Sequence, residues 1–263
     1  MQLNEQMIGS ENIYHYLSVI SPAAARRFSE MVGMGRRVIE TRNGSFWIDP
    51  FSGFGSEMLA KGEHEPAMIN WVYETLKPGG IFVDVGANEG YFSVIAAKQC
   101  GETGKVYAIE PQEPCHPVLR ENSRLNGCNN IEIVPVVVSD HFGEAVLHLH
   151  SATNTGATSL WRHSRSGIRS LKTVCWPLEF LLNKKNIATV DLLKIDIEGA
   201  EYEAVMGSQE VFRSGRIKAL ALEVHPLILA ERGLGESTIH DFLIGSGYRV
   251  EGSRDLLSLY KAA

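Results

Sequence analysis

From Ile81 to the end of this 263-residue chain, apolar runs of strand length alternate with segments of helical period. Such alternation builds a doubly wound, mostly parallel α/β sheet covered by helices. The expected strands are Ile81–Val85, Lys105–Ile109, Ile131–Val138, Val190–Ile195, Ala219–Val224, Tyr248–Glu251 and Leu257–Tyr260, seven in all. Only Gly252–Leu256 separates the last two, so they should pair antiparallel. Between the third and fourth strands, Ala145–His150 alternates like a further strand, and Thr153–Lys172 is polar and rich in Ser, Thr and Arg. The segment before Pro78 reads differently. Asn12–Ile20 and Ala23–Val32 look like short helices parted by Ser21-Pro22, and Val38–Ile48 looks like a hairpin turning on Asn43-Gly44. A glycine-rich loop, Phe51–Gly55, follows. Pro66 then opens a helix whose Ile69, Val72, Tyr73 and Leu76 fall at i, i+3, i+4 and i+7, and Pro78-Gly79-Gly80 stops it. Residues 1–77 are therefore expected as an N-terminal helical cap on the substrate side, and 78–263 as the sheet domain, with 152–172 as an active-site loop.

The densest chemistry lies at the first strand. Ile81–Val85 runs into Gly86-Ala87-Asn88-Glu89-Gly90 before an apolar helix beginning at Tyr91, and Glu110 ends the second strand twenty residues after Gly90. A glycine turn of this kind allows a cofactor close to the backbone, and the acid at the second strand end binds ribose hydroxyls. The turn does not suit a dinucleotide, because Asn88 occupies the second glycine position and no third glycine follows to complete a pyrophosphate nest. S-adenosylmethionine has no phosphate; its sulfonium, ammonium and carboxylate need close backbone approach and an acceptor such as Asp84. A plain strand-to-helix connection is the bland alternative, an NAD-dependent oxidoreductase is the runner-up, and a non-catalytic S-adenosylmethionine-binding module is a third reading.

Ligands of open parallel sheets bind outside the carboxyl ends of the strands. Asp84–Gly90, Glu110-Pro111, Ser139-Asp140, Asp196–Glu198 and Glu223–His225 all fall at such ends and should converge. Asp140 either accepts from the adenine amine or turns the chain before Gly143. Lys194 and Asp196 share a face of a strand that should be buried, where unpaired charges are expensive, so they need each other or a ligand. Glu198 and Glu201 open the next helix, where acids also favour the macrodipole. Glu223 and His225 end the fifth strand on one side; the histidine can take a hydroxyl proton, or serve as a structural hydrogen-bonder before Pro226. Asp196, Glu198, Glu223 and His225 would also suit a hard divalent ion, a metal role the sequence leaves open. Arg162, Arg165, Arg169 and Lys172 form either a lid over an acidic acceptor or a solvated surface. Glu65, before Pro66, is either a helix-cap acid or a group reaching over the cofactor.

Composition narrows the class further. Hydrophobic residues make up 44% of the chain, enough for one large core, and no apolar run is long enough to span a bilayer. Met1–Ser10 is polar, so no signal peptide is expected. Cys100, Cys115, Cys128 and Cys175 are widely spaced, which argues against zinc or disulfides and for a reducing cytoplasm. A net charge of −6 gives no general attraction to nucleic acid or anionic membranes. No Asn-Pro-Pro-Tyr or Asp-Pro-Pro-Tyr follows the fourth strand, which further disfavours a nucleic-acid or amine acceptor.

Four blocks in order resemble the FkbM family of class I methyltransferases: Phe82–Ser93, Val106–Pro111, Gly156-Ala157-Thr158-Ser159-Leu160 and Leu193–Glu201, within about residues 60–250. The resemblance implies a Rossmann-like fold and O-methylation of a hydroxyl on a sugar or a polyketide- or peptide-type natural product. It places S-adenosylmethionine against Asp84, Gly86, Asn88, Glu110 and Asp140, with Glu65, Ala87, Gly90, Tyr91, Pro111, Ser139 and Asp196 completing the expected shell; S-adenosylhomocysteine would be the product. His225, Asp196, Glu223, Lys194 and Glu198 are the expected catalytic group. One departure is Trp176-Pro177-Leu178-Glu179, where family members often read Thr-Leu-Asp. The acceptor, the oligomeric state and the role of residues 1–60 have no readable code, and a protein acceptor stays open.

Overall fold

The structure is a computed structural model that describes residues 24, 27, 35–149, 160, 169–254 and 256–263. The helices expected at 12–20 and 23–32 and most of the 152–172 loop lie outside these residues. The hairpin is present as β1 (Arg37–Thr41) and β2 (Gly44–Ile48), paired antiparallel with Thr41 opposite Gly44. The glycine-rich segment is not a loop throughout: α1 (Gly53–Lys61) starts inside it, because Ser52 Oγ accepts from the Gly55 N–H at 2.8 Å as an N-cap. Gly55 has a packing reason as well, since a Cβ there would lie 1.9 Å from the Asp49 carbonyl oxygen. Next come α2 (Pro66–Thr75), β3 (Ile81–Val85), α3 (Tyr91–Cys100), β4 (Lys105–Ile109) and α4 (Cys115–Leu125).

The expected strand Ile131–Val138 is two strands in two sheets. β5 (Ile131–Val134) pairs parallel with β4, whereas β6 (Val137–Ser139) joins a second sheet. Pro135 separates them: it has no N–H to offer the ladder and interrupts a continuous strand. β7 (Gly143–Leu149) and β8 (Arg169–Pro177) complete the second sheet in the order β6-β8-β7. Arg169–Lys172, expected in the polar loop, thus belong to a strand, with Lys172 opposite Val146.

The remaining elements are α5 (Leu178–Lys184), β9 (Leu192–Ile195), α6 (Glu201–Met206), α7 (Gln209–Arg213), β10 (Ala219–Glu223), α8 (Pro226–Glu231), α9 (Glu236–Gly245), β11 (Tyr248–Arg254) and β12 (Leu257–Ala262). Seven strands form the main sheet in the order β11-β12-β10-β9-β3-β4-β5, and only β12 runs antiparallel to its neighbours. The architecture is the expected Rossmann-like, mostly parallel seven-stranded α/β sheet. Strand order reverses between β3 and β9, which opens a crevice at their tips.

Apolar residues fill both faces with the two-residue period of a strand. Phe82 and Leu192 pack with Ile69, Val72 and Ile95 on the α2–α3 side, whereas Val83, Val85, Leu193 and Ile195 pack with Leu181, Val205 and Leu229 on the other. That alternation puts Asp84 and Lys194, which are register partners, on the α2–α3 face at the crevice.

Candidate active site

Four strand tips and the turn before α2 build the site. At the tip of β3, Gly86 has φ 86°, and a Cβ there would lie 1.9 Å from the Asp196 carbonyl oxygen of β9. Only glycine lets these two tips touch. Asn88 is also left-handed, and its N–H donates to Glu110 Oε2 at 2.8 Å; the Gln112 N–H donates to Oε1 at the same distance. Burial pushes Glu110 up to about 7 despite these two amides. The carboxylate is held in place yet short of solvation, a setting in which a diol's hydroxyls would be welcome.

Asp84 is buried, accepts from Ser93 Oγ at 2.5 Å, and keeps its Oδ1 without a hydrogen bond, 3.9 Å from Lys194 Nζ. Burial raises its pKa against the pull of Lys194. Lys194 donates to Asp196 Oδ2 at 3.1 Å and lies over the Phe92 ring. Burial would discharge the ammonium, but Asp196, Asp84 and Glu65 outweigh it and raise its pKa. Burial likewise opposes ionisation of Asp196, which Lys194 and His225 nonetheless bring below the usual carboxylate range. The paired charges expected on this strand are therefore present, with Asp84 as a third member.

His225, the N-cap of α8, binds three carboxylates. Its Nδ1 meets Glu201 Oε1 at 2.9 Å; its Nε2 lies 3.4 Å from Glu198 Oε2 and 4.0 Å from Glu223 Oε1. Burial disfavours the imidazolium, but Glu201, Glu198 and Asp196 win and lift His225 to about 9. Burial raises Glu198 and Glu223 to about 7, with Asp196 adding to both. Glu201, fully buried, also accepts from the Gly199 N–H at 2.9 Å, so it organises the β9–α6 turn from inside. Donor atoms of Asp196, Glu198 and His225 lie within 4.8 Å of one another and could hold a metal ion.

These groups surround a cavity of about 290 Å³. Its wall takes in Glu65, Gly86, Ala87, Asn88, Tyr91, Glu110, Pro111, Lys194, Asp196, Glu198 and Glu223 from the expected set. Asp84, Gly90 and His225 are not part of the wall, although His225 touches it through Glu198. Ser139 and Asp140 are not brought there: β6 carries them into the second sheet, and Asp140 Oδ1 is engaged by Ser139 Oγ at 3.2 Å and His141 Nδ1 at 2.7 Å. Val136, Val137 and Val138 line the cavity in their place. Glu65 makes no side-chain cap to α2; its Oε1 lies 3.0 Å from His64 Nε2.

His64, Phe54, Ser52, Leu147 and Leu160 also line the cavity and escaped the sequence reading. The one signal for His64 was its place beside Glu65-Pro66. Six acidic residues (Glu65, Glu89, Glu110, Asp196, Glu198, Glu223) line the described wall against the basic Lys194 and His64, with Glu89 paired to Arg36. Such a wall would repel a pyrophosphate and favour a sulfonium and an ammonium. The residues present thus fit S-adenosylmethionine.

Comparison with known proteins agrees. Residues 84–250, more than half of the chain, match the Methyltransferase FkbM domain, and the chain belongs to this family of methyltransferases. The chain is 29% identical over 116 residues to a ribosomal protein L11 methyltransferase from Caldanaerobacter subterraneus subsp. tengcongensis, covering 39% of this chain and 35% of that one. It thus spans about a third of the length of this curated relative. Among solved structures, it resembles the precorrin-6y C5,15-methyltransferase of Geobacter metallireducens at 14% identity (TM-score 0.45; 76% of this chain, 90% of that one). It also resembles an O-methyltransferase of Thermotoga maritima at 14% identity (TM-score 0.44; 90% and 82%). The oxidoreductase reading falls with the family match. Among the described residues, no helix is long and apolar enough to cross a membrane.

Proposed function

We propose that this protein moves a methyl group from S-adenosylmethionine to a hydroxyl oxygen of a small molecule, a sugar or a polyketide- or peptide-type natural product. The observation that carries the reading is the convergence of Asp196, Glu198, Glu223 and the Glu201-held His225 at the cavity beside Gly86. Bound there, the cofactor supplies an electrophilic methyl group, so the protein's task is to align the acceptor oxygen and manage its proton. Asp196, on the cavity wall, accepts the hydroxyl proton, and His225, just behind the wall, receives it from there at Nε2 when the ring is neutral. Because His225 stays charged up to about 9, turnover should climb with pH through that value.

His225→Ala should keep S-adenosylhomocysteine affinity and lose about 100-fold or more in turnover; equal loss of both, by calorimetry and radiolabel transfer, would reject this division of roles. A screen of hydroxylated acceptors, run with and without chelator, tests the acceptor class and any use of metal at Asp196, Glu198 and His225. A protein acceptor is the second reading, supported by the likeness to the ribosomal protein L11 methyltransferase. Labelling of proteins but of no small hydroxyl compound would favour it.

A further inference from the structure

His64 lies in the turn between α1 and α2 and lines the cavity, with its ring edge-on to Phe54 and close to Tyr91 and Phe92. Glu57 of α1 binds its Nδ1, and Glu65 Oε1 lies 3.0 Å from its Nε2. A ring that meets carboxylates at both nitrogens donates from both and is an imidazolium. The two glutamates have different alternatives. Glu57 also accepts from Lys61 and does not line the cavity. Glu65 lines it, interacts electrostatically with Asp84, Lys194 and Glu223, and stands at a left-handed N-cap with no cap bond of its own to keep. Glu65 is thus the partner that a cationic ligand can draw away.

We propose that Glu65 is shared between His64 and the ammonium of the cofactor, so that cofactor binding discharges His64 and presents its Nε2, oriented by Glu57, to a polar group of the acceptor. This rests on the methyl-transfer reading and deepens it: His64 becomes an acceptor-recognising residue that is available only in the loaded enzyme. Before loading, Nε2 is a donor occupied by Glu65. Afterwards it is an open lone pair in the cavity wall, suited to an acceptor hydroxyl that donates. Acceptor binding would then follow cofactor binding.

The titratable groups around the ring are Glu57, with Lys61 behind it, from α1; Glu65; Tyr91 of α3, whose hydroxyl accepts from the His64 backbone N–H at 3.4 Å; and Asp196 beyond β9, which interacts with it electrostatically. Burial disfavours the charged ring, and the Glu65 and Glu57 carboxylates overcome it. Glu65 is thus a main source of the charge that loading would remove.

Histidine-ring nitrogen NMR on the full chain tests this, with S-adenosylhomocysteine as the probe and His64→Gln for assignment. At pH 6.5 the free protein should show His64 mostly doubly protonated, because the two flanking carboxylates raise the ring above its ordinary value. Saturation with S-adenosylhomocysteine should raise its neutral-to-charged ratio at least tenfold, one unit of pKa. Glu65→Gln should show the neutral ring without ligand and no further change with it. That second variant serves equally if His64→Gln does not fold, because the signal that differs between it and the wild type is then the assignment. An unchanged ratio while calorimetry shows the probe bound, or a ring still fully charged in Glu65→Gln, overturns the proposal. Failure of the probe to bind at all instead removes the cofactor reading beneath it.

Discussion

Replacing Glu110 by Gln should flatten the pH dependence of cofactor binding. The carboxylate is 2% exposed and held by the Asn88 and Gln112 backbone amides with the Gln112 side chain, yet burial lifts it from 4.5 to about 7. Between those values the folded protein keeps a proton that the unfolded chain has released, so stability falls as pH rises through this window. At about 1.4 kcal/mol per pH unit the whole window corresponds to about 3 kcal/mol. A ribose diol donating to the carboxylate favours the ionised form and recovers part of that cost. Binding should therefore expel the proton below pH 7, and affinity should rise with pH up to about 7 and then level off. At pH 5 roughly one molecule in 100 has Glu110 ionised, so this residue alone can weaken binding up to about 100-fold relative to pH 8. Glu198 and Glu223 titrate in the same range, which is why the comparison with Glu110→Gln matters: it removes one group's share of the slope. Calorimetry with S-adenosylhomocysteine from pH 5 to 8.5 reads it directly. If wild type and variant bind with the same slope, Glu110 does not hold the ribose.

Other perturbations test the framework around this residue. Gly86→Ala combines a left-handed φ, costing about 1–2 kcal/mol, with a Cβ pressed on the Asp196 carbonyl, which adds overpacking of about 1–3 kcal/mol. Its Tm should fall by roughly 5–10 °C with loss of S-adenosylhomocysteine binding, and an unchanged melt with full affinity would refute the contact between the two tips. Lys194→Met strips the buried Asp84 and Asp196 of their cation and should cost about 3–5 kcal/mol at pH 8. The deficit should shrink towards pH 5, as Asp84 protonates and no longer needs a partner; denaturant unfolding at the two pH values would show no such narrowing if the triad were solvated. The rise of turnover with pH towards 9 should disappear in His225→Ala.

Much of this was legible in residue order. β3 and β4 have the ends their apolar runs suggested, and the hairpin lies where it was expected, although its loop is Arg42-Asn43 and Gly44 already belongs to β2. That Gly86, Asn88 and Glu110 come together was readable because a strand–turn–helix unit is local: strand, turn and acid follow one another, and backbone geometry dictates the residue types. Lys194 and Asp196 were readable because two charges on a buried strand demand partners wherever the chain goes. Pro135 was visible but undervalued, and with it went the path of Ser139 and Asp140, since a strand that changes sheets carries its tip elsewhere. Nothing local announced that Asp84 would stand opposite Lys194 or that Glu201 would meet His225. Those are contacts between residues 24 to more than 100 positions apart, and their partners are chosen by how the sheet stacks and where the crevice opens. Local patterns settle which backbone conformations and charges the chain must accommodate; packing alone settles which charges meet.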